Sequence, residues 1–198
     1  MDDRLVELLI KRRTVAADEL PALEDEVWQR YGAERAVLAL DMSGFSRLTA
    51  AHGILHFLSM IQRMREVTRP LVEEGGGQVV KYEADNMFAV APDVRCMLDI
   101  AHTIQRVFGA AEAAVDEDLR IRVSCGIDCG RILLIPGVEL FGSAVNFASK
   151  LGEDLAHPGE ILMTARAYAT LPSKSDIAAE SVRFDISGLA LEAFRIMP

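Results

Sequence analysis

Apolar and polar positions recur along the chain with two different periods, and the switches between them outline the elements. In the first 30 residues the spacing is helical: Leu5, Leu8 and Leu9 share a face of one segment, and Leu20, Leu23, Val27 and Trp28 belong to a second. Pro21, after Asp18 and Glu19, marks the start of that second helix. "AVLAL" at 36–40 is an unbroken apolar run of strand length. Polar, glycine-containing "DMSGFSRLT" follows, then a helical pattern to about residue 73 that "EEGGGQ" stops with consecutive glycines. "QVVKY" and "NMFAVA" predict a hairpin around a charged turn, and "DVRCMLDIAHTIQRVFGAAEAAV" predicts a second long helix. "LRIRVSCGID" alternates as a strand, and "GRILLI" reads as another after a turn at Cys129-Gly130. "LFGSAVNFASKLGEDL" reads as a loop entering a helix, "EILMT" as a short strand, "ARAYATL" as a short helix, and "VRFDIS" with "EAFRIM" as a closing hairpin.

The order is β, α, β, β, α, β, with further β and α elements at the end. This is the ferredoxin-like order, an α+β fold with an antiparallel sheet and two helices on one face. Residues 1–33 are expected to form a helical arm that packs on a domain of residues 34–198.

Composition narrows the function more than the fold. With 51% apolar and 26% charged residues the chain can bury a core. Its net charge of −9 argues against nucleic acid or an anionic membrane as main partner. No apolar run reaches the roughly 18 residues of a membrane span, and the charged N-terminus does not read as a signal peptide. A cytoplasmic location is the expectation. Cys96, Cys125 and Cys129 lack paired metal-ligand spacing and are expected to be small buried hydrophobes.

Two aspartates carry the candidate chemistry. Asp41 closes the strand "AVLAL", and Asp85 sits in the hairpin turn. In the ferredoxin-like order these strands can be neighbours, which brings both carboxylates to one edge. Like charges at close range raise one another's pKa unless a cation lies between them. Mg²⁺ or Mn²⁺, held by one or two carboxylates and substrate phosphates, resolves that conflict. Either aspartate alone is equally a helix cap or turn former. "MSGFS" adds weight, because a helix start offers backbone N–H groups to a phosphate and Gly44 allows close approach.

"LALDMSGFSRLT", "VVKYEADNMFAVAP", "CGIDCGRI" and "LFGSAVNFASKL", in this order, resemble the class III nucleotide cyclase catalytic domain, the adenylate and guanylate cyclase family. The resemblance covers about residues 34–198. It implies a ferredoxin-like core and a homodimer with composite active sites at the subunit interface. There the 3′-hydroxyl of a nucleoside triphosphate attacks its own α-phosphate and pyrophosphate leaves. It further implies two Mg²⁺ or Mn²⁺ ions per site at Asp41, Met42 and Asp85, and substrate contacts from Ser43, Gly44, Phe45 and Ser46. Lys81 matches the family's adenine-selecting lysine, and Glu139 stands where adenylate cyclases usually have aspartate. Asn146 would hold the ribose, and Lys150 would meet charge on the transferring phosphate. Lys81 with Glu139 favours ATP, although Glu139 could also meet guanine's donors.

Three departures from the family pattern bear on rate. Lys150 replaces arginine and lacks its planar fork. Ala84 replaces a glycine before Asp85, at a turn where glycine takes positive φ freely. Ser187, before Gly188, replaces a phosphate-binding lysine. The leading expectation is therefore a homodimeric adenylate cyclase of low activity. The alternatives are a cyclase for GTP or another nucleotide, and a cyclase-like domain that binds nucleotide or a partner without turnover.

Overall fold

In the computed structural model, which describes residues 2–112, 120–174, 176–186 and 189–197, the chain is wound about strand β1 (Gly32–Met42). Side chains alternate along a strand, so Ala36, Leu38, Leu40 and Met42 enter one core. They meet Phe57, Met60 and Met64 of helix α4 (Ile54–Glu74) and Met97, Ile100 and Ile104 of α5 (Val94–Glu112). Val37 and Ala39 enter a second core with Val145 and Ala148 of α6 (Ser143–Ser149). A strand covered on both faces needs an unbroken apolar run, which is what "AVLAL" supplies.

Strands β2 (Gln78–Glu83), β3 (Asn86–Ala91), β4 (Val123–Ile135), β6 (Ile161–Thr164), β7 (Ala179–Ile186) and β8 (Leu189–Ile196) join β1 in the order β2-β3-β1-β4-β6-β8-β7, and β5 (Glu139–Phe141) pairs with β4. All pairs are antiparallel except β4 with β6. The β2-β3-β1-β4 portion with α4 and α5 is the predicted ferredoxin-like unit.

Two local expectations are corrected. Cys129 and Gly130 do not turn the chain but lie inside β4, because β1 offers partners along Gly32–Met42 to both halves of the strand. The helix after Asp41 is two helices, α3 (Phe45–His52) and α4, separated at Gly53, whose φ is 81°. The long helix predicted through Val115 is seen to Glu112; residues 113–115 and the Ser187-Gly188 pair lie outside the described residues. Cys125 is buried as expected, whereas Cys96 and Cys129 are only partly so.

Helices α1 (Asp3–Arg12) and α2 (Leu20–Tyr31) pack on the sheet: Leu5, Leu8, Leu23, Val27 and Tyr31 form a cluster with Ile135 and Leu133 of β4. Leu9 stays about two-fifths exposed, at 39%. Among the described residues no helix is long and apolar enough to cross a membrane.

Candidate active site

Asp41 faces Asn86, the residue after Asp85, in the β1–β3 ladder. Neighbouring strands thus deliver both carboxylates to one edge, with Asp41 on the α6 side of the sheet that Val37 and Ala39 also occupy. The Asp41 pKa is pushed up from 3.8 to about 7, first by burial and then by the negative charges of Asp85, Glu153 and Asp154. The Met42 backbone, hydrogen-bonded to the carboxylate, opposes the rise. Asn86 Oδ1 is buried with no hydrogen-bond partner among the described residues. Crowded carboxylates and an unpaired amide oxygen are a hard-cation donor set, so these residues fit Mg²⁺ or Mn²⁺. Among the described residues no group of three or more His, Cys, Asp and Glu side chains could hold a metal. Two carboxylates leave the remaining coordination to substrate and water.

Asp85 sits in a two-residue hairpin turn, since Glu83 pairs with Asn86. Such turns take positive φ at a central position, and Ala84 does so with φ 50°. The departure from glycine therefore leaves the turn formed but strained, by about 1 kcal/mol for a residue with a Cβ.

Lys81 stands opposite Phe88 just after a bulge in β2, with Nζ 5.0 Å from the ring centroid. Its ammonium lies 2.8 Å from Glu139 Oε1 and 2.8 Å from Glu83 Oε2. Burial works against the charged lysine, but hydrogen bonds to Glu139 and Glu83 outweigh it and raise the pKa. For Glu139 burial is likewise outweighed, by Lys81 and by the Leu140 N–H at 3.0 Å, and the pKa is lowered.

The loop after Asp41 differs from the predicted cradle at one atom: the Ser43 N–H donates to the Arg122 carbonyl at 2.9 Å. Gly44, with φ 102°, turns the chain into α3. Phe45 and Ser46 lie in the first turn, and Phe45 meets the Phe57 ring edge-on at 4.8 Å.

At two points beside the second core, main chain of α6 and its continuation meets main chain of the sheet with no side chain between. A Cβ on Gly126 of β4 would lie 2.0 Å from the Ala148 carbonyl oxygen, and one on Gly152 would lie 2.5 Å from the Ala39 oxygen. The helix continues as a π-helix, Lys150–Leu155, a form that recurs at functional sites. Asn146 is exposed, and Lys150, one turn later on the same face, is held 2.7 Å from Asp154. Glu153 has a raised pKa, from burial first, against a Ser149 hydrogen bond, and then from Asp154, Glu83 and Asp85.

The structure therefore brings Asp41 beside Asp85 and Lys81 beside Glu139, and places Asn146 on α6 and Lys150 at the start of the π-helix that continues it. Among the described residues no ion pair joins Lys81 or Lys150 to Asp41 or Asp85. Sequence reasoning missed Glu83, Glu153 and Asp154; their acidity was visible, but not their approach to the site.

Residues 29–195 match the family model of the adenylate and guanylate cyclase catalytic domain. A provisionally named adenylate cyclase 3 of Rhizobium meliloti is 29% identical over 142 residues, 72% of this chain and 24% of that protein. An adenylate cyclase of Glutamicibacter nicotianae is 29% identical over 157 residues, 79% of this chain and 37% of the relative. The chain thus spans about a quarter of the first relative and rather more than a third of the second. The crystal structure of an adenylate/guanylate cyclase/hydrolase from Silicibacter pomeroyi superposes with a TM-score of 0.70 at 27% identity, covering 84% of this chain and 98% of that one.

Proposed function

Because the chain belongs to the adenylate and guanylate cyclase catalytic-domain family, we propose that it is a metal-dependent adenylate cyclase, converting ATP to 3′,5′-cyclic AMP and pyrophosphate in a homodimer. The observation that carries this reading is the placement of Asp41 on β1 opposite Asn86 and so close to Asp85, where burial first and the Asp85 charge second hold the Asp41 carboxyl near pKa 7 until a cation relieves it.

In the proposed reaction the ribose 3′-hydroxyl gives up its proton to water, its oxygen bonds to the α-phosphorus, the bond from that phosphorus to the bridging oxygen breaks, and pyrophosphate departs. Two Mg²⁺ or Mn²⁺ ions at Asp41, Asp85 and Met42 would supply acidification of the 3′-hydroxyl and neutralisation of the triphosphate when bound. Lys81 donates to adenine N1, an acceptor that guanine replaces with an N–H. Glu139 accepts from the adenine amino group. Asn146 orients the ribose, and Lys150 exchanges Asp154 for charge developing on the phosphate. The backbone of Ser43, Gly44, Phe45 and Ser46 borders the triphosphate, although the Ser43 N–H is already engaged.

A second copy completes the site. Among the described residues Lys81 and Lys150 are not paired with Asp41 or Asp85 of their own chain, and Phe141 and Phe147, near Glu139 and Asn146 in sequence, are each about two-fifths exposed (40% and 41%). Two-fold pairing would bury such apolar groups and set each chain's cations against the other's carboxylates.

Incubation of the purified protein with each of the four ribonucleoside triphosphates and Mn²⁺, with the product identified by mass spectrometry, tests the reading. Cyclic AMP is the expected product, lost in Asp41→Ala. A wild type as silent as Asp41→Ala with all four triphosphates would end the enzyme reading. The Lys150–Asp154 pair favours a second reading, nucleotide binding without turnover; saturable ATP binding with no product would select it.

A further inference from the structure

We propose that Arg65, on α4, is a positioning residue for Asp85: it fastens the hairpin turn that carries this carboxylate. The inference rests on the reading of Asp85 as a metal ligand. Arg65 Nη2 donates to the Ala84 carbonyl at 2.9 Å. That carbonyl shares a rigid peptide plane with the Asp85 N–H, so fixing its direction fixes the path of the chain into Asp85. The tie runs both ways. The Tyr82 hydroxyl, from the strand leading into the turn, donates to the Arg65 main-chain oxygen at 3.2 Å, and the guanidinium carbon lies 5.2 Å from the Tyr82 ring centroid. Thr68, one turn along α4, meets the same hydroxyl at 3.1 Å.

Two observations set this latch apart from ordinary packing. Ala84 is the non-glycine residue at positive φ among the described residues, so the turn it occupies needs an external hold that a glycine turn does not. Arg65 also leaves its Nε buried without a partner among the described residues, an unfavourable feature that stability alone does not explain. Arg65, Ala84 and Asp85 line one groove of about 350 Å³ with Phe45 and Phe57, so the latch lies at the border of the site.

The test compares wild type, Arg65→Ala, Arg65→Ala with Ala84→Gly, and Asp85→Asn as the control for Mn²⁺ bound at this site. Mn²⁺ binding is followed by electron paramagnetic resonance, and amide hydrogen exchange is followed in the metal-free proteins. Arg65→Ala is expected to weaken Mn²⁺ binding about tenfold, the scale of one lost hydrogen bond. It should speed exchange at residues 84–86 while β1 stays protected, and raise the Mn²⁺ needed for half-maximal turnover more than the KM for ATP. Adding Ala84→Gly should restore part of the binding. Should Arg65→Ala fail to fold, Arg65→Gln carries the same comparison. Mn²⁺ affinity within twofold of wild type, or no recovery from Ala84→Gly, overturns the role of Arg65. Neither Mn²⁺ binding nor hydrogen exchange depends on turnover, so an inactive wild type would count against the cyclase reading and not against this one.

Discussion

The Lys81 ammonium and the Glu139 carboxylate meet at 2.8 Å, joining β2 to β5 across the face of the sheet. Each has a second partner, Glu83 for the lysine and the Leu140 N–H for the glutamate. The pair is about one-quarter exposed, at 22% and 27%. A donor and an acceptor are therefore fixed side by side, and in the proposed base-reading role their effects are expected to be coupled.

Lys81→Met and Glu139→Gln are each expected to lower kcat/KM for ATP by about tenfold to hundredfold, from the loss of one hydrogen bond involving a charged group. The double variant should lose less than the product of the two, since each single change leaves the other residue without its partner. Steady-state kinetics on the four proteins of the cycle measure the coupling; strictly multiplicative losses would show that the pair does not act as a unit.

Asp41 makes the stability of the metal-free protein depend on pH. The unfolded chain releases this proton near 3.8, whereas the folded chain releases it only near 7. Between those values the folded state binds more protons, so stability falls as pH rises from about 4 to about 7 and levels off above. Urea denaturation in EDTA across pH 4 to 8 should show that slope, and Asp41→Asn should flatten it. Excess Mn²⁺ should reverse it, because a cation favours the ionised form.

Lys150 sets the expected rate. Its removal in Lys150→Ala should slow turnover by about 10² to 10³-fold with little change in KM, the usual loss for a transition-state contact. Lys150→Arg should raise kcat, because a guanidinium offers two parallel donors where the ammonium offers one point of charge. Equal kcat in all three would remove Lys150 from the chemistry.

Gly126 should be intolerant of any side chain. The added carbon of Gly126→Ala would fall 2.0 Å from a main-chain oxygen that cannot swing away, at an expected cost of about 3 kcal/mol. Gly137 has φ 70° and open space around its Cβ position, so Gly137→Ala should cost only about 1 kcal/mol, from backbone strain. Thermal unfolding of the two variants against wild type compares the effects directly.

Much of this was legible in the residues. The period of three to four under α4 and α5 and the unbroken run of β1 each follow from where a side chain must go to leave water. Asp41 and Asp85 could be placed at one edge because the strand order makes β1 and β3 neighbours. Other features left no local mark. Glycine at 130 reads as a turn until a long neighbouring strand is known to span it. The π-helix after Ser149 has the composition of any helix. Arg65 looks like one more exposed basic residue on α4, because its acceptor is a main-chain oxygen, which the sequence of the turn does not advertise.

With Gly126 and Gly152 letting main chain approach main chain, the end of α6 and the π-helix after it rest directly on β4 and β1 at these two points, while Val145 and Ala148 pack on Val37 and Ala39. Asn146 and Lys150 therefore cannot slide relative to Asp41 of the same polypeptide; they travel as one slab. If two copies build the proposed site, any tuning of the gap between Lys150 and the other copy's carboxylates has to come from swivelling entire protomers, and a signal reaching such a site would be delivered as torque between halves instead of as flexing within one.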